Sequence, residues 1–578
     1  MKVLKLLIFF FFISLMACKK EIYVNDFSEV LLEDVIKRYE TERTYDFEPY
    51  ESVDNTAKFY QNEANFSKEL QQELLKVNKE GLTESEKISL ELLNFVLQDK
   101  IDSNIYKTYL NTITSESAFH LNLSQMANIT FADYKQVKAY LNQLHELPKK
   151  VDYNLDILRE SVKEGMSQPA AVFGDYSFSY SKHLVSDYTE SEFYQPFKKL
   201  PESLTSHQKD SVLLAAKTSI ETDVIAPYQK IKDFFETEYF SNSRKDLGII
   251  SIPNGEAFYQ NRINFFTTST QYTAEDIHQI GLKEVARIKA EMQVIIEDLG
   301  FKGSFEDFLK FLRTDSQFYA KTPKELMMFA RDISKRIDGE LPKYFKTLPR
   351  KPYGVVPVPA AIAPKYTSGR YSGSHNDKTA GFYWVNTYNL PSRTLYTIPA
   401  LTAHEAVPGH HLQISLNNEL GDSIPKFRRD LYLSAYGEGW GLYSEYLANE
   451  MGIYTTPYEK FGQLTYEMWR ACRLVVDPGV HAKGWTRQQV IDYMAANTAL
   501  SMHEVTTETD RYISWPGQAI SYKIGEIKIR ELRKKAEIEL KEKFDIREFH
   551  EVILGQGTVT LAIMETRVNN YIQRVKNE

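Results

Sequence analysis

The sequence predicts a mainly α-helical protein with a small β-structured segment in its second half. In two long regions, apolar residues recur at spacings of three and four, the period of an amphipathic helix. A proline-rich stretch and a short run of aromatic and β-branched residues separate these regions, and such a run favours a β-strand. We therefore predict an N-terminal helical region over residues 31–350 and a second region over residues 351–578.

The composition excludes one class of partner. The chain has 578 residues, a net charge of -8 and 43% hydrophobic residues, which is typical of a soluble globular protein. No tract rich in lysine and arginine is interleaved with aromatic residues in the sequence. Such a tract supplies the positive surface that contacts phosphates, so we expect no nucleic-acid partner.

The N-terminus is typical of a bacterial lipoprotein signal. In residues 1–17, two lysines precede an apolar run that is too short to span a bilayer. The sequence LMAC at residues 15–18 resembles a lipobox, in which the cysteine is acylated and becomes the mature N-terminus. An ordinary cleaved signal peptide with an incidental cysteine is the alternative. The lipobox predicts an exported protein that lipid on Cys18 anchors to the membrane, facing the periplasm or cell surface.

The mature chain is expected to begin with a tether over residues 19–30. The helical prediction for residues 31–350 rests on stretches such as residues 66–75 and 284–292, whose apolar residues share one helix face. Histidines occur singly in this region. A single histidine is typical of a surface or core residue, so we expect no metal ligand there.

The β-structured segment follows a stretch that cannot be helical. Residues 351–364 contain four prolines, which mark an extended connection. The run GFYWVNTY at residues 381–388 then predicts a strand over 382–387. If this strand lies at a sheet edge, an extended peptide could pair with it, and Asn386 could bind the peptide backbone. From Pro399 the helical pattern resumes nearly to the C-terminus.

Three of the chain's 12 histidines lie within HEAVPGHH, residues 404–411. In the zinc-protease motif H-E-x-x-H, two histidines four residues apart on a helix reach the same ion. Here Pro408 stands in place of the second histidine. On a regular helix, His410 would point about 120° away from His404, and His411 would lie about 10 Å along the axis. A regular helix therefore excludes a shared metal ion.

Pro408 resolves this conflict because it lacks an N–H group and its ring clashes with the preceding turn of a helix. We therefore expect a bulge around Pro408 and Gly409. A bulge of two residues brings His410 to the ligand position, whereas His411 requires three. The smaller distortion favours His410 as the ligand. His411 remains an alternative ligand or a neighbour that orients one.

The glutamate beside the first histidine has a structural alternative. Thr402 and Glu405 fit the capping box S/T-x-x-E, in which the glutamate only caps a helix. However, Pro399 is a good first-turn residue, and a helix that begins there has Glu405 well inside it. We therefore expect Glu405 to be the general base beside the metal.

A third ligand is predicted from GEGWGLYSE, residues 437–445. Apolar residues recur at helical spacing from Tyr436 to Leu447, and Glu438 and Glu445 lie on another face. Glycines flank Glu438, so another backbone or a ligand can approach closely. We predict Glu438 as the third ligand and Glu445 as a residue that orients a ligand histidine. A solvated acidic face is the alternative.

These residues resemble a bacterial family named domain of unknown function 885, whose members are often lipoproteins and which is grouped with zinc metallopeptidases of the gluzincin type. The family pattern H-E-x-x-P-G-H-H-x-Q matches residues 404–413. Pro478 departs from the family pattern, which has a small residue such as threonine there. The resemblance covers residues 25–575 as a single domain. Its further matches lie at residues 437–440, 473–481, 510–512 and 516–525.

The resemblance implies a large two-lobed, helical, zincin-like metallopeptidase fold with a deep cleft and a small sheet near the metal. It also implies one zinc ion and a peptide substrate. Helical oligopeptidases with H-E-x-G-H-A-L align with GHHL at residues 409–412, which again favours His410. By type and resemblance, Tyr522 and His481 are candidates for stabilising the oxyanion. Arg511 could hold a substrate carboxylate or form a structural ion pair.

The predicted reaction is zinc-assisted hydrolysis of oligopeptides, by a carboxypeptidase, dipeptidase or oligopeptidase. His404, His410 and Glu438 hold the metal, and Glu405 transfers the proton. One alternative is a non-catalytic peptide-binding lipoprotein, although binding alone does not need a general base. The other is a metallohydrolase that acts on a different amide or ester with the same site.

Overall fold

The computed structural model describes residues 22–42, 57–174, 176–360, 362–363, 366–374, 376 and 378–578, with only the backbone of residues 22–30 and of residue 122. The predicted signal peptide and Cys18 lie outside the described residues. In the part of the chain that is described, no helix combines the length and apolar character needed to cross a membrane.

The first helical region is confirmed. Two π-helical segments, Ile220–Ile225 and Phe234–Tyr239, lie between helices of this region. The helices before the sheet are α1 (Ile22–Glu42), α2 (Ala57–Leu74), α3 (Glu84–Ile105), α4 (Phe119–Leu123), α5 (Tyr134–His145), α6 (Leu147–Lys163), α7 (Phe178–Ser181), α8 (Ser206–Ser219), α9 (Ala226–Asp233), α10 (Phe240–Asn242), α11 (Gly255–Thr267), α12 (Ala274–Asp298), α13 (Phe305–Thr314) and α14 (Pro323–Tyr344).

Residues 22–30 of the predicted tether are helical, because α1 begins at Ile22. The helix continues to Glu42 and buries Leu32, Val35 and Tyr39 against the protein. Apolar side chains three and four residues apart make one face of this segment suitable for packing.

The second helical region is confirmed as well, and it follows a sheet of three strands. The strands are β1 (Tyr353–Pro357), β2 (Gly369–Ser372) and β3 (Gly381–Val385). The later helices are α15 (Ile398–Glu405), α16 (His410–Glu419), α17 (Lys426–Asp430), α18 (Ser434–Glu450), α19 (Pro457–Lys483), α20 (Arg487–Asn497), α21 (Met502–Ser514), α22 (Ser521–Leu540), α23 (Ile546–Leu554) and α24 (Leu561–Asn577).

The predicted strand lies in the middle of the sheet and not at its edge. The strand order is β1-β3-β2, in which β3 pairs in parallel with β1 and antiparallel with β2. Both edges of β3 are therefore occupied, and a peptide cannot pair with it. The aromatic and β-branched residues of β3 predict a strand. That β1 and β2 pair with its two edges depends on contacts between separate segments, which the local sequence does not reveal.

The two predicted regions share their hydrophobic cores. In one cluster, Phe308 of α13 packs edge-on against Phe461 of α19, with ring centroids 5.0 Å apart. A second cluster includes Ile277 of α12 and Leu474 of α19. The proline-rich segment therefore ends the first run of helices without separating two independent cores.

Helix α19 runs through the centre of the molecule and is buried along most of its 27 residues. It begins with a capping box between Thr456 and Glu459, has Pro457 in its first turn, and ends at Gly484 with φ of 70°. These are the start and stop signals of a helix, and all of them are local. Helix α19 thus supplies the support on which the neighbouring helices are arranged.

Candidate metal centre

The helix carrying HEAVPGHH is interrupted, as Pro408 predicts. Helix α15 ends at Glu405, and α16 begins at His410. The N–H of Gly409 donates to the carbonyl of Ala403 at 2.9 Å. This bond spans six residues, whereas a bond in a regular helix spans four. The bulge therefore accommodates two extra residues, the number that brings His410 to the ligand position.

The capping alternative for Glu405 is excluded. Helix α15 begins at Ile398 with Pro399 in its first turn, so Thr402 lies inside the helix and Glu405 is its last residue. The indole N–H of Trp440 donates to the carbonyl of Pro408 at 2.8 Å and fixes the bulge from α18.

Three of the predicted residues meet at one point. His404 Nε2 lies 3.3 Å from Glu438 Oε2, and His410 Nε2 lies 3.4 Å from the same oxygen. All three ligand atoms lie within 4.8 Å of one another. Two donors bound to a tetrahedral zinc ion at about 2.0–2.1 Å are separated by about 3.3–3.4 Å. The geometry and chemistry of this donor set therefore fit zinc.

The protonation of this site reflects the same proximity. Burial opposes protonation of His404, but its hydrogen bonds to Glu438 and Glu445 outweigh burial and raise its pKa to about 10. Burial also opposes ionisation of Glu438, but the nearby imidazoles of His410 and His404 hold its pKa well below the usual range. The close contacts among these side chains therefore favour a protonated His404 beside an ionised Glu438.

His411 points to the sheet and not to the three ligand atoms. Its Nδ1 lies 3.1 Å from the hydroxyl of Tyr371 and 3.3 Å from that of Ser415. Its ring packs on Tyr353 at a centroid distance of 4.8 Å. Burial lowers the pKa of His411 to about 4. His411 therefore connects the metal helix to the sheet.

Glu445 lies where the sequence predicts an orienting carboxylate. Its Oε1 is 2.8 Å from Nδ1 of His404, and the residue is fully buried. Because Nδ1 is bonded to Glu445, Nε2 is the ring nitrogen that faces Glu438. Arg470 of α19, which the sequence did not single out, places Nη2 3.6 Å from the same Oε1.

Two glycines allow the helices to approach this closely. A Cβ atom on Gly441 would lie 2.6–2.9 Å from ring atoms of His404, so only glycine leaves room for the imidazole against α18. A Cβ on Gly439 would lie 2.6 Å from Gly525 Cα, which places α22 directly against α18. The close approach of another backbone expected beside Glu438 is therefore seen at Gly439.

The carboxylate of Glu405 contacts the outer edge of the sheet. Its Oε2 accepts a hydrogen bond from the backbone N–H of Tyr371 in β2 at 2.7 Å. Tyr371 therefore contacts two residues of the motif, Glu405 through its backbone and His411 through its hydroxyl.

Tyr432 is a site residue that the sequence did not reveal. Its hydroxyl donates to Oε1 of Glu438 at 3.1 Å. Burial, together with the charge of Glu438, raises its pKa well above the usual value, although 48% of the residue is exposed. It lies in the short segment before α18, where no motif or periodicity marks it.

The oxyanion role predicted for His481 is wrong. The residue is fully buried in α19. Its Nδ1 accepts from the N–H of Ile249 at 3.1 Å, and its Nε2 lies 2.9 Å from the carbonyl of Tyr512, to which it donates. Because both ring nitrogens bond to the backbone, His481 connects three segments and has no donor left for a substrate.

The substrate-binding role predicted for Asn386 is also wrong. Asn386 is fully buried, and its amide group donates to the carbonyls of Ala363, Tyr366 and Thr367. Its Oδ1 accepts from the N–H of Tyr388. The amide therefore organises the loop before β2.

Tyr522 and Arg511 lie in one group of aromatic and charged residues. The Tyr522 ring faces Arg473, with the guanidinium carbon 4.5 Å from the ring centroid. Arg511 donates to Glu508 at 3.1 Å and to Gln518, which makes it the structural ion pair that the sequence left open. Its pKa is raised well above the usual value: burial lowers it, but Glu508 and the nearby Tyr522 outweigh burial.

The chain matches, over residues 48–568, the model of a family described as bacterial protein of unknown function (DUF885). Its structure is similar to that of a candidate lipoprotein from Colwellia psychrerythraea, with a TM-score of 0.80 and 28% identity over 89% of this chain and 92% of that chain. A candidate lipoprotein of unknown function from Shewanella oneidensis shares the fold, with a TM-score of 0.68 and 19% identity over 93% and 98%. No protein of curated function matches.

Proposed function

The chain belongs to the DUF885 family of bacterial proteins, as its motifs predicted, and we propose that it is a zinc-dependent peptidase. Its histidine motif supplies two of the three side chains of the candidate metal centre. Lipid on Cys18 holds it at the membrane. The observation that carries the proposal is the meeting of His404, His410 and Glu438 at separations that suit one zinc ion. A zincin-like architecture with a substrate cleft is part of this proposal.

Zinc held by these three residues supplies a Lewis acid that acidifies water and polarises a carbonyl group. Glu405, which follows His404 directly, takes the proton from the attacking water as the carbon–oxygen bond forms. The same carboxyl group then delivers this proton to the amine nitrogen as the carbon–nitrogen bond breaks. Glu445 holds the His404 ring in the tautomer that leaves Nε2 free for the metal.

The outer edge of β2, which pairs with no further strand among the described residues, supports a peptide substrate. Asn386 N–H donates to the carbonyl of Ser368, next to the β2–β3 ladder. Residues alternate along an antiparallel ladder, so the backbone groups of Gly369 and Tyr371 face away from β3. The bond from Tyr371 N–H to Glu405 agrees with this direction. A peptide that adds to this edge as a fourth strand runs past the general base.

Tyrosines are the proposed donors to the oxyanion. The Tyr432 hydroxyl donates to Oε1 of Glu438 at 3.1 Å, and Tyr522 is among the nearby groups that raise the pKa of Tyr432. Burial raises the pKa of Tyr432 although half of the residue is exposed, a combination expected for the wall of a cleft. Phenol hydroxyls positioned there stabilise negative charge on the carbonyl oxygen.

Elemental analysis and digestion of a peptide library test the proposal. We expect one zinc ion per chain and cleavage of peptides. The Glu405→Gln variant should retain zinc but lose cleavage, since Glu405 transfers the proton and does not ligate the metal. Peptide binding without cleavage by the zinc-loaded protein would contradict the proposal and favour a binding lipoprotein.

A further inference from the structure

We propose that Arg470 and Arg473 of α19 bind the C-terminal carboxylate of the peptide, so that the substrates are peptides with a free C-terminus. This inference rests on the proposed function. The sequence suggested Arg511 for this role, but Arg511 already bonds to Glu508 and Gln518. We therefore assign the carboxylate to Arg470 and Arg473.

The two guanidinium groups have donors without acceptors. Arg470 is 5% exposed and Arg473 is 2% exposed. Among the described residues, Nε of Arg470 and Nη1 of Arg473 are buried and have no hydrogen-bond partner. Leaving a buried donor unpaired costs about 1–3 kcal/mol, and more for a charged group. A bound acceptor would therefore stabilise both arginines.

The geometry of the pair suits a planar anion. Arg470 and Arg473 are three residues apart on α19 and therefore lie on the same face of the helix. Both guanidinium carbons lie 4.4 Å from the ring centroid of Trp469. Arg473 already binds one carboxylate, that of Glu508 at 3.0 Å. Arginine presents donors in a fork that matches a carboxylate, so a second carboxylate can use the remaining donors.

The pair lies next to the candidate metal centre. Glu445 Oε1 is 2.8 Å from His404 Nδ1 and 3.6 Å from Arg470 Nη2, so one carboxylate separates the guanidinium from a metal-ligand histidine. The Tyr522 ring faces both arginines, at 5.9 Å from Arg470 and 4.5 Å from Arg473.

The direction of the open strand edge agrees with this placement. Antiparallel strand pairs outnumber parallel ones roughly two- to three-fold. A peptide antiparallel to β2 has its C-terminus at the start of β2, near Ser368. A cavity of about 260 Å³ there is lined by Ser368, Arg393 and the carboxyl groups of Glu116, Glu504 and Glu508. This direction brings the peptide's C-terminus beside Glu508, which bonds to Arg473.

A comparison of paired peptides on the unmodified zinc-loaded protein tests the inference. Each peptide is supplied with a free C-terminal carboxylate and as the C-terminal amide. We expect kcat/KM to fall on the order of 100-fold on amidation, because the amide leaves the buried charges unpaired. Acetylation of the N-terminus should have little effect. Equal hydrolysis of the acid and the amide overturns the inference and leaves the proposed function intact.

Variants assign the effect to the two arginines. Arg470→Gln and Arg473→Gln should each lower the ratio of acid to amide hydrolysis by about tenfold or more. Arg487→Gln is the matched control, because Arg487 lies outside the site and its Nε and Nη2 donate to the two carboxylate oxygens of Asp510. If Arg473→Gln does not fold, Arg470→Gln and the peptide comparison decide. A ratio unchanged in a folded Arg470→Gln variant contradicts the assignment.

Binding separates this inference from the proposed function. Calorimetry with the Glu405→Gln variant should show on the order of 100-fold weaker binding of the amide than of the free acid. Discrimination in binding without any hydrolysis by the unmodified protein would support the carboxylate site and contradict the peptidase. The absence of both would contradict both proposals.

Discussion

The carboxylate of Glu445 lies 2.8 Å from Nδ1 of His404, and both side chains are buried. This contact selects the ring nitrogen that faces Glu438, and in the proposed zinc site it would strengthen His404 as a ligand. Glu445, seven positions after Glu438, therefore orients His404 at the candidate metal centre.

The first prediction concerns this contact. Glu445→Gln should lower the affinity for zinc by about 10–100-fold, since the ring of His404 loses its charged partner. Glu450→Gln on the same helix is the control, because Glu450 pairs with Arg533 away from the ligands. Competition with a chelator measures both affinities. If the two variants bind zinc equally well, Glu445 does not orient His404.

The second prediction separates the adjacent histidines. His410→Ala should abolish tight zinc binding, because His410 Nε2 lies 3.4 Å from Glu438 Oε2. His411→Ala should leave the donor set complete, since His411 bonds to Tyr371 at the sheet. We expect at most about a 10–100-fold loss of affinity from the disturbed neighbour. Zinc titration of both variants decides, and the reverse order would assign His411 as the ligand.

The third prediction concerns the space around His404. Gly441→Ala should weaken zinc binding by about tenfold or more, because the new Cβ would lie 2.6 Å from His404 Cε1 and displace the imidazole. Gly339→Ala is the control, since no atom lies within 4 Å of its Cβ position. That control should raise the free energy of unfolding by about 0.5–1 kcal/mol. Unimpaired zinc binding by Gly441→Ala would show that His404 can move without consequence.

The fourth prediction concerns pH. In the metal-free protein the pKa of His404 is about 10, so the ring is protonated at pH 7 and zinc must displace a proton. Zinc affinity should therefore rise about tenfold per pH unit below pH 10. Because this pKa is raised, protonation stabilises the metal-free fold fully below about pH 6.5, and this contribution is lost as the pH rises through 10.

Calorimetry in buffers of different ionisation enthalpy measures the proton release. At pH 7 we expect about one proton or more per zinc ion. In the His404→Ala variant the release from this residue should disappear together with tight binding. Zinc binding that is independent of pH between 6 and 9 would contradict the protonated state of His404.

The fifth prediction concerns the N-terminus, which lies outside the described residues. Cys18→Ser should abolish lipid labelling and leave the precursor unprocessed, because serine lacks the thiol that is acylated. Cys472→Ser is the control, since Cys472 is a buried free cysteine of α19. Metabolic labelling and detergent partitioning measure both variants. Continued labelling of Cys18→Ser would exclude the lipobox.

The sequence by itself determined the helical class, the strand at β3 and the interruption of the metal helix. Each depends on interactions within a few residues. Pro408 cannot continue a helix because its ring and missing N–H act on the preceding turn, so two residues must bulge before His410. Glu438 could also be predicted, because glycines beside a glutamate on an otherwise apolar helix indicate a close approach.

Only the tertiary structure decided which side chains have groups available for a ligand. His481 and Asn386 have suitable chemistry, but backbone groups, most of them in other segments, already bond to their nitrogen and oxygen atoms. Tyr432 and Arg470 reach the site only because α18 and α19 pack beside α15. Hydrogen-bond satisfaction in a buried site depends on segments that are separated in the sequence, by 232 residues for His481 and Ile249, and no local pattern records which segments will meet.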